Sequence, residues 1–246
     1  AESTVFVAGG PATEAPQILC LEPGALARGN VQESEAEGHI ALVSVGKVWA
    51  SAQLCIVNPD TCEPLPEGRV GEIWLQSESV GLGYWKQSAL TAQSFQARLA
   101  QSEEAVLPQT GWLRTGDLGF VKAEKLYITG RQKDVIILHG ENHYPQRFER
   151  LAEQAHPAFR AGCNAAVGYG VPEALLIVQE VRADTTASVA EMEQALKETV
   201  SAATRVPVEY VLLVKPGQVP KTSSGKVRRS EVRLRYQKGK LKPWKT

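Results

Sequence analysis

Several things are missing from this sequence, and each absence removes a class of protein. No apolar run approaches the ~20 residues that a membrane-spanning helix requires. The opening, Ala1 to Gly10, has no basic stretch followed by an apolar core, so a secretory signal is not expected. The four cysteines, Cys20, Cys55, Cys62 and Cys163, are scattered without a Cys-x-x-Cys pair, which speaks against a structural zinc site and for free thiols in a reducing compartment. No Asn-x-Ser/Thr acceptor occurs. These absences predict a cytoplasmic protein with no membrane partner. The first residue is not methionine, so the expectation is a chain cut from a longer protein.

Charge is present but unevenly placed. The 27 basic and 27 acidic residues balance, yet from Lys221 to Thr246 there are ten Lys/Arg and one acid, leaving the first 220 residues with a net of minus nine. A basic C-terminal end invites an anionic partner, or is simply a solvated tail. Its core is Pro220-Lys221-Thr222-Ser223-Ser224-Gly225-Lys226-Val227-Arg228-Arg229. A phosphate-binding P-loop is excluded there: its first glycine falls on Pro220, and Val227 stands where a magnesium-binding hydroxyl belongs. A nucleic-acid partner is not expected either, because only Tyr236 and Trp244 interleave with the cations.

The first third of the chain alternates short apolar runs (Ala41–Val48, Ala52–Val57, Val70–Leu75) with turn clusters such as Asn58-Pro59-Asp60 and Pro64 to Gly68. That pattern predicts a β-rich region, a small barrel or a set of meanders. Helical spacing of Ala92, Phe95 and Leu99 predicts a helix capped by Thr91. Strands are expected at Gly111–Phe120, Lys125–Gly130 and Asp134–Leu138, joined by tight Gly/Asp turns. Beyond Lys133 the pattern predicts strand, helix opened by Pro145, two strands as a hairpin, helix through Val189, Met192, Leu196 and Val200, strand, and a basic tail. The fold class is α+β: a β-rich, barrel-like region followed by a smaller α+β domain. His139 and His143 have zincin spacing, but Gly140, Asn142 and Pro145 make a helix there improbable, so a loop is expected rather than a metal site.

Four stretches in fixed order, "GYWKQSALTAQSF", "GWLRTGDLGF", "LYITGRQKDVIILHGENHYPQRFE" and "PKTSSGKVRR", resemble the adenylate-forming superfamily of acyl-, aryl- and aminoacyl-activating ligases. The segment "GENHYPQ" is most similar to the fatty acyl-AMP ligases, in which His143 stands where acyl-CoA ligases usually have an apolar residue. "PQILCLEPGALARGNV", near 16–31, resembles the insertion that marks that branch, while Arg147-Phe148 departs from its usual Asp-Ile.

The resemblance implies a distorted-barrel part of a large domain over 1–131 and a small mobile domain over 132–246. It implies roles residue by residue. Asp117 would accept hydrogen bonds from the ribose hydroxyls of ATP or AMP, Arg131 would also reach the ribose, and Lys133 would be the hinge. Gly140 would line the passage for a phosphopantetheine arm, Lys226 would be the catalytic lysine, and Glu2 would position Mg. The remaining arginines of the basic stretch and Lys221 would be surface or docking charge, with Gly225 and the serines letting the loop bend. Implied partners are a fatty acid, an acyl carrier protein and a large N-terminal domain, because no Ser/Thr/Gly-rich phosphate loop is present here. The chain alone is therefore expected to be inactive. Alternatives are an acyl-CoA ligase, an amino-acid-activating domain, or a non-catalytic module that binds a carrier protein.

Overall fold

A computed structural model describes residues 2–4, 6–100, 108 and 110–244. The chain divides into two compact units, 1–133 and 134–246. No helix among the described residues is long and apolar enough to cross a membrane.

The first unit contains β1 (Ala8–Gly9), β2 (Ile18–Leu21), α1 (Pro23–Ala27), β3 (Ile40–Val43), β4 (Gly46–Val48), β5 (Ala52–Val57) and β6 (Gly71–Ser77). α2 (Ser88–Phe95), β7 (Ala97–Arg98), β8 (Thr110–Lys122) and β9 (Lys125–Arg131) follow. One curled half-barrel sheet runs β1-β4-β9-β8-β6-β5, with β7 added to β8, all pairs antiparallel. The apolar runs are continuous because both faces of this sheet are covered. Cys55, Val57, Trp74 and Trp112 pack on one face, and their neighbours Ile56, Ile73, Leu75 and Leu113 on the other. The insertion-like segment forms β2 and α1. β2 pairs with β3, and the Glu22 carboxylate caps α1 by accepting from Gly24 N and Ala25 N.

Two local expectations need correction here. α2 begins at Ser88 and stops at Phe95, so Thr91 lies inside it rather than at its cap. The Thr91 hydroxyl instead accepts from Tyr84 N at 2.9 Å, tying the helix to the preceding loop. The β8–β9 turn is not a Gly/Asp turn: Ala123 and Glu124 both take positive φ (48° and 60°) between the paired Lys122 and Lys125. An outside group fixes it, since Ala123 N donates to the Glu67 carboxylate at 3.0 Å.

The second unit contains β10 (Ile136–Leu138), β11 (Glu141–His143), α3 (Pro145–Gln154), β12 (Phe159–Tyr169), β13 (Ala174–Val181), α4 (Val189–Thr204), β14 (Val208–Val214) and α5 (Arg229–Gln237). Its sheet runs β12-β13-β14, antiparallel then parallel, with α4 as the crossover between β13 and β14. Phe148 and Ala152 of α3 and Met192, Leu196 and Val200 of α4 cover one face. The expected basic tail is not a tail. It folds into α5, whose fully buried Val232 packs with Val178, Val214 and Leu241 on the other face. A sheet covered on both sides explains why β13 opens with the continuous apolar run Ala174–Val178 and stays buried through Gln179 and Glu180.

Candidate functional site

Asp117 and Arg131 come from different motifs and lie side by side. They are cross-strand partners in the β8–β9 ladder, with Arg131 Nε 2.9 Å from Asp117 Oδ1 and both side chains partly open to solvent. An irregularity in β8 presents the aspartate. Glu72 pairs with Leu118 and Trp74 with Arg114, so Ile73 alone faces Thr115, Gly116 and Asp117. Gly116 takes φ +69°, a conformation an L side chain resists. The Thr115 hydroxyl donates to Ile73 O at 2.7 Å and accepts from Asp117 N at 3.0 Å.

The anchor of this bulge is a residue the sequence reading missed. Glu72 is 1% exposed. Its carboxylate accepts from Gly116 N (3.1 Å), Arg114 Nε (2.9 Å) and the Trp74 indole (2.9 Å), while the Arg114 guanidinium lies over the Trp74 ring. A charge inside the apolar run "VGEIWL" was the available signal, because a buried carboxylate must find donors.

Lys226 sits on a preformed hairpin. Lys221 and Val227 form a β-bridge, Thr222 N donates to Lys226 O at 2.8 Å, and Gly225 N donates to Thr222 O at 2.9 Å. The Thr222 hydroxyl accepts from Lys226 N at 3.1 Å. Gly225 turns the chain here at φ +84°, a conformation that favours glycine. The lysine side chain is exposed, and no ion pair or hydrogen bond holds its ammonium among the described residues. Arg229 departs from the expected surface charge: it is largely buried and paired with Glu149 and Asp134. Arg228 and Arg235 both pair with Glu231.

Lys133 is exposed in a short 3-10 turn, Gln132–Asp134, and is the last residue of the first unit. Gly140 and His139 form the two-residue turn of the β10–β11 hairpin, both with positive φ (80° and 51°). A Cβ on Gly140 would meet nothing within 4 Å, so the glycine requirement seen here comes from the backbone and not from crowding. Gly140→Ala is expected to cost ~1–2 kcal/mol of stability through strain, readable in urea melts. An unchanged melt would remove that explanation. The histidine pair lies on this hairpin, not on a helix. No group of three or more His, Cys, Asp or Glu among the described residues could hold a metal. His143 rests 5.7 Å from the Phe148 ring, and burial pushes its pKa down.

Glu2 is brought to the first motif. The Tyr84 hydroxyl donates to Glu2 Oε1 at 2.9 Å, which holds the carboxyl below its usual range and raises the tyrosine. Gly81 N donates to Glu2 O at 2.8 Å. A separate groove of about 740 Å³ is lined by Phe6, Pro16, Val45, Lys47 and Trp49 among others and includes none of these residues.

A family model described as "Disco-interacting protein 2-like, AMP domain" matches residues 133–246. The medium-chain-fatty-acid–[acyl-carrier-protein] ligase JamA of Moorena producens is 38% identical over 99% of this chain and 42% of its own length. A structure from work on fatty acyl-adenylate ligases of E. coli and L. pneumophila superposes with a TM-score of 0.81 at 28% identity, over 97% of this chain and 41% of that one. Over nearly its whole length the chain is thus similar to fatty-acid ligases that form acyl-adenylates. The long-chain-fatty-acid–AMP ligase FadD32 of Mycobacterium marinum is 34% identical, over 98% of this chain and 43% of its own length. The chain spans about two-fifths of the length of the curated relatives it matches.

Proposed function

We propose that the polypeptide carrying this chain activates a fatty acid with ATP and passes the acyl group to the phosphopantetheine thiol of an acyl carrier protein. The observation that supports this most is the adjacency of Asp117 and Arg131, on a bulge braced by a buried carboxylate. Ribose hydroxyls would donate to the ionised Asp117, an acceptor suited to a diol, and Arg131 is placed to share the contact. The fatty carboxylate then attacks the α-phosphorus. A new oxygen–phosphorus bond forms as the bond to pyrophosphate breaks, and negative charge gathers on the α-phosphate oxygens. Lys226 would place its three-donor ammonium against that charge. In the second step the carrier thiolate attacks the acyl carbonyl and AMP leaves with the bonding pair.

A magnesium ion, when bound, would offset the charge of the departing phosphates. A single fixed carboxylate such as Glu2 suits that ion, which keeps waters and takes much of its coordination from substrate phosphates. Lys133 is read as the pivot between the two steps, and Gly140 as part of the thiol's path.

Asp117→Asn should lower kcat/KM for ATP by roughly 10–100-fold, the worth of charge-assisted hydrogen bonds, with KM carrying most of it. An unchanged KM for ATP would overturn the ribose assignment. α5 and its surroundings offer a docking face as well: Arg233, Lys238, Lys240 and Lys242 are exposed with no ion-pair partner among the described residues. Carrier-protein binding should therefore weaken on raising salt from ~0.05 to ~0.3 M. An affinity indifferent to salt would remove these cations from the interface.

A further inference from the structure

Three residues after Lys226, Arg229 is the centre of a buried ionic cluster. Its Nε and Nη2 reach the two oxygens of Glu149 at 2.7 and 2.6 Å, and its Nη1 reaches Asp134 Oδ2 at 3.0 Å. The three side chains are only 12–15% exposed. Glu149 is held from a second element too. Its Oε1 accepts from Ala166 N at 3.1 Å, and its backbone oxygen accepts from the Asn164 amide at 2.7 Å. The positions along the chain are informative. Asp134 directly follows Lys133 and opens the second unit, and Arg229 begins α5 immediately after the lysine hairpin. The hairpin is itself closed onto this root, since Arg228 N donates to Pro220 O at 2.9 Å.

We infer that Arg229 is a positioning residue for adenylation, clamping the root of the Lys226 hairpin to the residue that follows the pivot. The inference rests on the reading of Lys226 and Lys133 given above. A rotation about Lys133 then carries the lysine as part of one rigid body, with no slack between pivot and ammonium. A guanidinium is suited to the task. Its planar fork binds one carboxylate with two nitrogens and leaves a third for another acid, which a lysine cannot reproduce. Without the cation, two buried carboxylates face each other and the hairpin root loosens. A displacement of ~1 Å at a reacting group is enough to cost on the order of 100-fold in rate.

The test uses the full-length polypeptide in which the chain is completed to the length of its relatives. Two variants are compared: Arg229→Lys, and Arg229→Leu combined with Asp134→Asn and Glu149→Gln, which leaves no unpaired charge buried. Fatty-acid-dependent pyrophosphate release reports adenylation. Transfer from supplied acyl-adenylate to the carrier thiol is measured separately, alongside thermal melts and Lys226→Ala. Both variants should lose adenylation by on the order of 100-fold, with transfer falling roughly tenfold less, even where the triple variant melts like the parent. Loss of both steps in proportion to melting temperature, or wild-type adenylation by the triple variant, would make Arg229 purely structural. Should Lys226→Ala leave adenylation intact, the role of Lys226 fails and the inference with it, so the two failures are told apart.

Discussion

Lys226→Ala is expected to slow acyl-adenylate formation by about 10²–10³-fold while transfer from preformed acyl-adenylate is largely retained. The size follows from removing one donor aimed at charge that develops only in the transition state. Stability should hardly change, because the side chain is exposed and no ion pair or hydrogen bond of its ammonium with the described residues would be lost. The hairpin beneath it is held by backbone bonds and the Thr222 hydroxyl, which alanine leaves in place. Lys226→Arg should rescue poorly, since a wide planar fork does not reproduce a compact ammonium. Equal slowing of both steps by the alanine variant would count against a role in adenylation.

Lys226 stands out in the sequence because its motif sets one residue at a fixed distance from a proline and a glycine. Asp117 and Arg131 stand out for a similar reason, each following a Thr-Gly step, and the two strands that carry them set the pair directly opposite each other. Their neighbours do not. Glu72 looks like one polar position in an apolar strand, and only the β6–β8 irregularity turns its carboxylate toward Gly116 and Arg114. Arg229 was hidden among cations. Nothing local separates it from Arg228, yet one is buried against two acids and the other is half-exposed beside Glu231.

The fold divides in the same way. Strong periodicity gave α4 and the β12–β13 hairpin to within a few residues. The helix α5 was missed because it is rich in charge, its Leu234 is exposed, and its one fully buried residue, Val232, gives no period to read. The Ala123–Glu124 turn carries none of the usual turn residues and is set instead by the pairing of Lys122 with Lys125 and by Glu67.

Glu72→Ala is expected to destabilise the first unit by about 3–5 kcal/mol, the cost of breaking a buried charge pair from one side. The mechanism is specific. The Arg114 guanidinium, only a quarter exposed, loses its counter-charge, while Gly116 N and the Trp74 indole lose their acceptor. Glu72→Leu combined with Arg114→Leu should recover much of that loss, because no charge is then stranded. Melting temperatures would show a fall on the order of 10 °C for the single variant and a smaller one for the pair. A single variant that melts like the parent would mean that Glu72 does not hold the bulge, and the account of how Asp117 is presented would fail with it.

The chemistry turns on which product accumulates. The decisive measurement gives the full-length polypeptide ATP and a panel of fatty acids, with CoA and a phosphopantetheinylated carrier protein offered together, and follows acyl-adenylate and both thioesters by mass spectrometry. Acyl-adenylate that appears with pyrophosphate and drains onto the carrier, leaving CoA unacylated, is the predicted result. Acyl-CoA as the main product, or no adenylate with any acid, would contradict it.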